Sequence, residues 1–208
     1  MTTATLAVFC ADIGSIKAGN FGWYGGAPGE ERAEHDPATL AEAVATHLAA
    51  HHPVALGFEC PLFVPLSEHP ADLTAARDGE GTRPWSAAAG ATALTTGLTQ
   101  VTWILRRIRR AAHAPAFLKW EDFLHARGGL FLWEAFVSGT GKGRHHTDDA
   151  RLAVAAFRAA LPDPRQHNAV TVREAYSLAG AALLRTGWKT NPTVLSTPAL
   201  VIRVAAAV

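Results

Sequence analysis

The chain has 208 residues, 49% of them apolar and 18% charged, with a formal net charge of +1. That composition excludes a disordered chain, and the length is enough for one sizeable core, so a single domain over residues 1–208 is expected. The near-neutral charge excludes a generally basic nucleic-acid binder, and no run of about 18 apolar residues offers a membrane span.

The N-terminus leads through polar Thr2, Thr3 and Thr5 straight into a strand, without the charged start and apolar core of a secretory signal. Two cysteines make no disulfide framework, so a cytoplasmic location is the expectation. Cys10 shares a strand face with Asp12, whereas Cys60 alternates away from Glu59, so the two thiols are expected on opposite sides of a sheet.

Residues 5–13 read as a first strand. A glycine-bearing turn and the short strand Phe21-Gly22-Trp23-Tyr24 make a hairpin with it, and 25–36 holds a third, edge strand. Asp36 caps a helix over 37–52, with Pro37 at its first position and Leu40, Val44, His47 and Leu48 as its stripe. A strand follows at 53–60. Residues 61–84 are irregular, and a long helix over 86–112 carries the stripe Leu94, Leu98, Val101, Leu105, Ile108. Residues 116–127 read as a helix or turn, 130–136 as a strand, and 138–146 as a loop rich in glycine and histidine. Thr147 caps a helix running to 161. Another helix covers 171–185, and Leu200-Val201-Ile202-Arg203-Val204 reads as a last strand. Helices between strands imply parallel crossovers, hence an α/β fold with helices on both faces of a mixed sheet.

Three apolar runs end in a lone acid: Asp12, Glu59 and Glu134. A charge at the end of a buried strand costs free energy unless something meets it. Asp148 and Asp149 open a helix. Asp149 lies in line with Ala153, Ala156 and Ala160 and is expected to face the sheet, while Asp148 pairs outward with Arg151. Carboxylates converging at strand ends suit a hard divalent cation, Mg²⁺ or Mn²⁺, and ligands of open α/β sheets bind beyond those ends. The candidate metal ligands are therefore Asp12, Glu59, Glu134, Asp148 and Asp149. His145 is a candidate proton shuttle, and Lys17, Arg83, Lys142 and Arg144 are candidate contacts for a substrate phosphate. The 139–146 loop lacks the spacing of a Walker A loop. The paired arginines 106–107 and 109–110 read as a solvated helix end.

The order of these motifs resembles the RNase H-like fold: Asp12-Ile13-Gly14 on the first strand, Phe58-Glu59-Cys60-Pro61-Leu62 on the middle strand, Trp133-Glu134 later and Asp148-Asp149-Ala150 opening a helix. It resembles more narrowly the domain-of-unknown-function family 429 of predicted RNase H-like nucleases, over roughly residues 5–185. That family's middle-strand acid is usually an aspartate in an Asp-x-Pro context; here Glu59 precedes Cys60-Pro61. The resemblance implies a five-stranded mixed sheet with an inserted long helix. It also implies a metal-dependent phosphodiesterase or nuclease acting on a nucleic acid or another phosphodiester. Two rival expectations stand beside it. One is a non-catalytic binding or scaffold domain with a degenerate site. The other comes from Asp12-Ile13-Gly14-Ser15, which also resembles the first phosphate loop of the sugar kinase, actin and Hsp70 superfamily.

Overall fold

Three parallel strands buried on both faces form the middle of the molecule, and their apolar runs are what such strands require. The structure is a computed structural model that describes residues 5–82, 84–126, 128–137, 143 and 145–204. In chain order it runs β1 (Ala7–Asp12), β2 (Gly22–Gly26), β3 (Arg32–Glu34), α1 (Pro37–Ala49), β4 (Val54–Glu59), β5 (Phe63–Pro65) and α2 (Ala88–Ala111). There follow β6 (Ala116–Phe117), α3 (Trp120–Ala126), β7 (Leu130–Phe136), α4 (His146–Ala159), β8 (Ala175–Ser177), α5 (Leu178–Arg185) and β9 (Leu200–Arg203).

The main sheet has the order β3-β2-β1-β4-β7, and β6 and β9 share the far side of β7. β1, β4 and β7 are mutually parallel, and β2 and β3 are antiparallel to their neighbours. Seven strands therefore replace the five expected. The additions are short: β6 pairs with the first residues of β7, and β9 pairs with its last four. The helix expected over 171–185 is likewise divided. Its first part is β8, which pairs antiparallel with β5 in a small second sheet. Ser177 then caps α5, its hydroxyl accepting from the Gly180 amide at 3.0 Å.

Each sheet face has its own core. On one face α1 contributes Leu40, Val44 and Leu48, α2 contributes Val101, Ile104, Leu105 and Ile108, and α5 contributes Leu183. α1 starts where its cap requires, with Asp36 accepting from the Ala38 amide at 2.7 Å. The stripe of α2 is shifted from the one expected. Leu98 is 50% exposed, and the buried line begins at Gly97, which lies against Cys60. The N-terminal half of α2 thus projects past the core over the strand ends.

On the other face α3 and α4 cover an aromatic cluster of Trp120, Phe123, Phe131, Trp133 and Phe157. The Trp133 and Phe157 rings stand 4.6 Å apart. A Cβ at Gly57 would lie 2.4 Å from the Trp133 ring, so the indole packs directly on the backbone of β4. Arg158 of α4 donates to the Gly26 carbonyl at 3.0 Å and to Glu31, and its hydrogen bond holds the Glu31 carboxyl below the usual range. Among the described residues no helix is long and apolar enough to cross a membrane.

Cys10 and Cys60 are buried, free and divided between the two cores, as strand alternation requires. Burial pushes both thiols up. Glu59 and Asp12 add to the effect at Cys10, and Glu134 and Glu59 add to it at Cys60. A raised folded-state value stabilises the fold below the unfolded thiol value of 9.0 and loses that contribution as pH rises past it. Both thiols are expected to resist an aromatic disulfide reagent at pH 8 and to react fully in denaturant. Rapid labelling of the native protein would show that the cores are open.

Gly57→Ala tests the packing of Trp133. It is expected to cost about 1–3 kcal/mol in urea unfolding. An unchanged midpoint would mean that the indole does not rest on β4.

Candidate metal centre

The register of the two central strands builds the site. β1 and β4 run parallel with Asp12 directly beside Glu59, so both carboxylates emerge on the same face at the same strand edge. The third carboxylate comes from above. α4 packs on that face through Ala150, Ala153, Val154 and Phe157, which brings Asp149 down in its first turn. Oxygen atoms of Asp12, Glu59 and Asp149 lie within 4.8 Å of one another. Asp12 and Asp149 are each 5% exposed, and Glu59 is half-buried.

Helix and sheet meet closely because β2 offers no side chain there. Asp12 pairs with Gly22, and a Cβ on Gly22 would lie 2.7 Å from the Thr147 amide nitrogen. The start of α4 consequently rests on the β2 backbone. His145, not Thr147, is its N-cap residue, and its amide donates to Asp148 Oδ2 at 3.2 Å. Asp148 also faces Arg151 across 4.0 Å, the outward pairing expected of it, and it stands outside the cluster.

Described residues meet part of this charge. His146 Nδ1 is 2.5 Å from Asp12 Oδ2, and the Gly143 amide donates to Asp149 Oδ1. Two unit charges at this spacing interact with about 3–4 kcal/mol at an effective dielectric of ~20, so a cation placed among carboxylates here is favoured. The cluster could hold a divalent cation. Two oxygen ligands of one such ion stand at most twice the bond length apart, about 4–5 Å, and three hard oxygens suit Mg²⁺, Mn²⁺ or Ca²⁺. The donor set and its spacing fit a divalent ion.

Glu134 is not part of this cluster. β7 pairs with β4 so that Glu134 stands beside Phe58, one residue out of step with Glu59, and its carboxylate points to the opposite face. There it accepts from Arg77 at 2.6 and 2.9 Å and from the Leu62 amide at 2.8 Å. Arg77 also donates to Glu80 at 3.0 Å and to the Phe63 carbonyl at 3.1 Å. All three charged side chains are nearly inaccessible. Burial works against the charge on Arg77, and the two glutamates outweigh it, holding its pKa above the ordinary guanidinium value.

Asp12 and Glu59 lie at the floor of a cleft of about 680 Å³ over the ends of β1, β4 and β7. The projecting half of α2 forms one wall, and Trp85 and Val137 contribute to others. Sequence reasoning missed His146, Arg77 and Glu80. The Gly-His loop pointed at His145, which is exposed, whereas its neighbour reaches Asp12. Lys17 is exposed on the turn after β1 and is not among the residues lining the cleft. Arg83, Lys142 and Arg144 lie outside the described residues. Arg107 at the end of α2 makes an exposed pair with Glu42, as a solvated helix end would.

Comparison with protein-family models, with curated proteins and with solved structures found no match to this chain.

Removing Arg77 would leave two glutamates buried without their cation. Arg77→Met is expected to cost about 3–5 kcal/mol in denaturant unfolding. A loss under 1 kcal/mol would show that the network is solvated in solution.

Proposed function

We propose that the carboxylate cluster holds Mg²⁺ or Mn²⁺ and that the cleft is the active site of a divalent-metal-dependent phosphodiesterase or nuclease. One observation carries the reading: Asp12, Glu59 and Asp149, from two adjacent strands and a helix, converge within the span of one ion's ligand shell. The mixed order β3-β2-β1-β4-β7 inside the larger sheet is in keeping with an RNase H-like reading. The position of the site beyond the carboxyl ends of parallel strands supports a ligand-binding role.

In this reading Asp12, Glu59 and Asp149 are the ligands, and His146 orients the Asp12 carboxylate. A divalent ion held there would supply a hydroxide nucleophile near neutral pH and a counter-charge for a phosphoryl oxygen. Glu134 serves by holding, with Arg77, the wall of the cleft. The rival reading, a non-catalytic domain with a degenerate site, has its own support: His146 and the Gly143 amide already meet part of the negative charge.

Calorimetry with Mn²⁺, followed by cleavage of single-stranded DNA, RNA and bis(p-nitrophenyl) phosphate, separates the two. The wild-type protein is expected to bind Mn²⁺ and to cleave at least one of the three. Asp12→Asn is expected to weaken the metal by about tenfold or more and to lower the rate on the order of 100-fold. Equal cleavage by Asp12→Asn would sink the assignment. Absence of Mn²⁺ binding at millimolar metal, with the fold intact, would leave the scaffold reading ahead.

A further inference from the structure

The walls of the cleft differ in character from its floor. The floor is anionic, with Asp12 and Glu59. The wall made by α2 offers Ala89, Gly90 and Ala93, together with Thr92 and Thr96. Those two hydroxyls are already committed, Thr92 donating to the Ala88 carbonyl at 3.2 Å and Thr96 to the Thr92 carbonyl at 2.9 Å. Trp85 lines the cleft with its ring fixed, the indole N–H donating to the Ala75 carbonyl at 2.9 Å. Among the described residues that line the cleft, the guanidinium of Arg77 is spent on Glu134 and Glu80. Among the described residues, the α2 wall and Trp85 therefore give a ligand apolar surface and an aromatic ring, and few uncommitted donors for a sugar-phosphate backbone.

Resting on the metal-dependent reading above, we infer that the cleft takes a small phosphoester with a planar aromatic body, of nucleotide size, and not duplex nucleic acid. The phosphate lies toward the carboxylate floor, where the metal meets it, and the flat body lies against Trp85 and the alanine face of α2. A volume of about 680 Å³ is that of a site for one small organic molecule. A duplex keeps its bases stacked inside, so it would bring no aromatic face to the wall.

Calorimetry with four probes tests this: Mn²⁺ alone, adenosine 5′-monophosphate with and without Mn²⁺, ribose 5-phosphate with Mn²⁺, and a DNA duplex with Mn²⁺. The nucleotide is expected to bind about tenfold or more tightly than ribose 5-phosphate, which lacks the aromatic body, and more tightly than the duplex. Trp85→Ala is expected to weaken the nucleotide by about tenfold with Mn²⁺ affinity unchanged. Ala89→Trp fills the cleft from an exposed helix position and is expected to do the same, which keeps the test usable should Trp85→Ala fail to fold. Ribose 5-phosphate binding as tightly as the nucleotide, a duplex binding more tightly, or nucleotide affinity unmoved in both variants would each overturn the inference. Mn²⁺ binding without nucleotide binding overturns it alone. Nucleotide binding that depends on Trp85 while Mn²⁺ does not bind overturns the metal reading and leaves the aromatic wall supported.

Discussion

The alignment of β1 with β4 is the constraint on which the site depends. Parallel pairing places Asp12 and Glu59 side by side at one edge and on one face, and nothing in either strand can separate them without shifting a fully buried register. The apolar runs behind the two acids hold that register. Ala7 to Ala11 and Val54 to Phe58 are all buried. A slip of one residue would part the charges and also turn every core side chain of one strand to the wrong face. The hydrophobic pattern therefore enforces an electrostatic arrangement that the charges alone would not choose.

β7 shows the same rule with the opposite result. It lies against β4 one step out of phase with respect to its acid, so Glu134 leaves the sheet on the other face. A fourth carboxylate on the Asp12 side would have added further repulsion. On its own side Glu134 became the anchor of a buried charge network instead. Arg77 belongs to the irregular segment between β5 and α2, and its pairing with Glu134 ties that segment to the sheet. Breaking a buried pair costs more than forming one gains, so the network matters mainly as a lock on conformation. Trp85, a few residues further along, is tied to the same segment by its bond to the Ala75 carbonyl.

The elements that carry the acids were legible in the sequence for a physical reason: strands buried on both faces read as unbroken apolar runs, and a charge at the end stands out. The split between Asp148 and Asp149 followed from helical spacing, since the small residues Ala153 and Ala160 had to face the sheet. The same burial concealed which way Glu134 points. A strand apolar on both faces shows no alternation, and register against its neighbour is a tertiary property. β6, at two residues, and β8, at three, are too short to show a period. β8 was also masked by the helical pattern of the segment that follows it. Arg77 and Glu80 lie in a stretch without periodicity, and their pairing is visible only once β7 is in place. Leu98 was misread because the helix stripe continues where the core beneath it does not.

Gly22 gives the site a vulnerability that no list of charged residues would reveal. It carries no side chain, yet the gap it leaves decides how near α4 comes to the sheet, and Asp149 and His146 travel with that helix. The distance between the carboxylates is thus set by an absent methyl group on a neighbouring strand. Variation that leaves every ligand intact can still dismantle the centre by wedging its roof away from its floor. Conversely, a chain that kept Asp12, Glu59 and Asp149 but not this glycine would display the right chemistry at the wrong spacing.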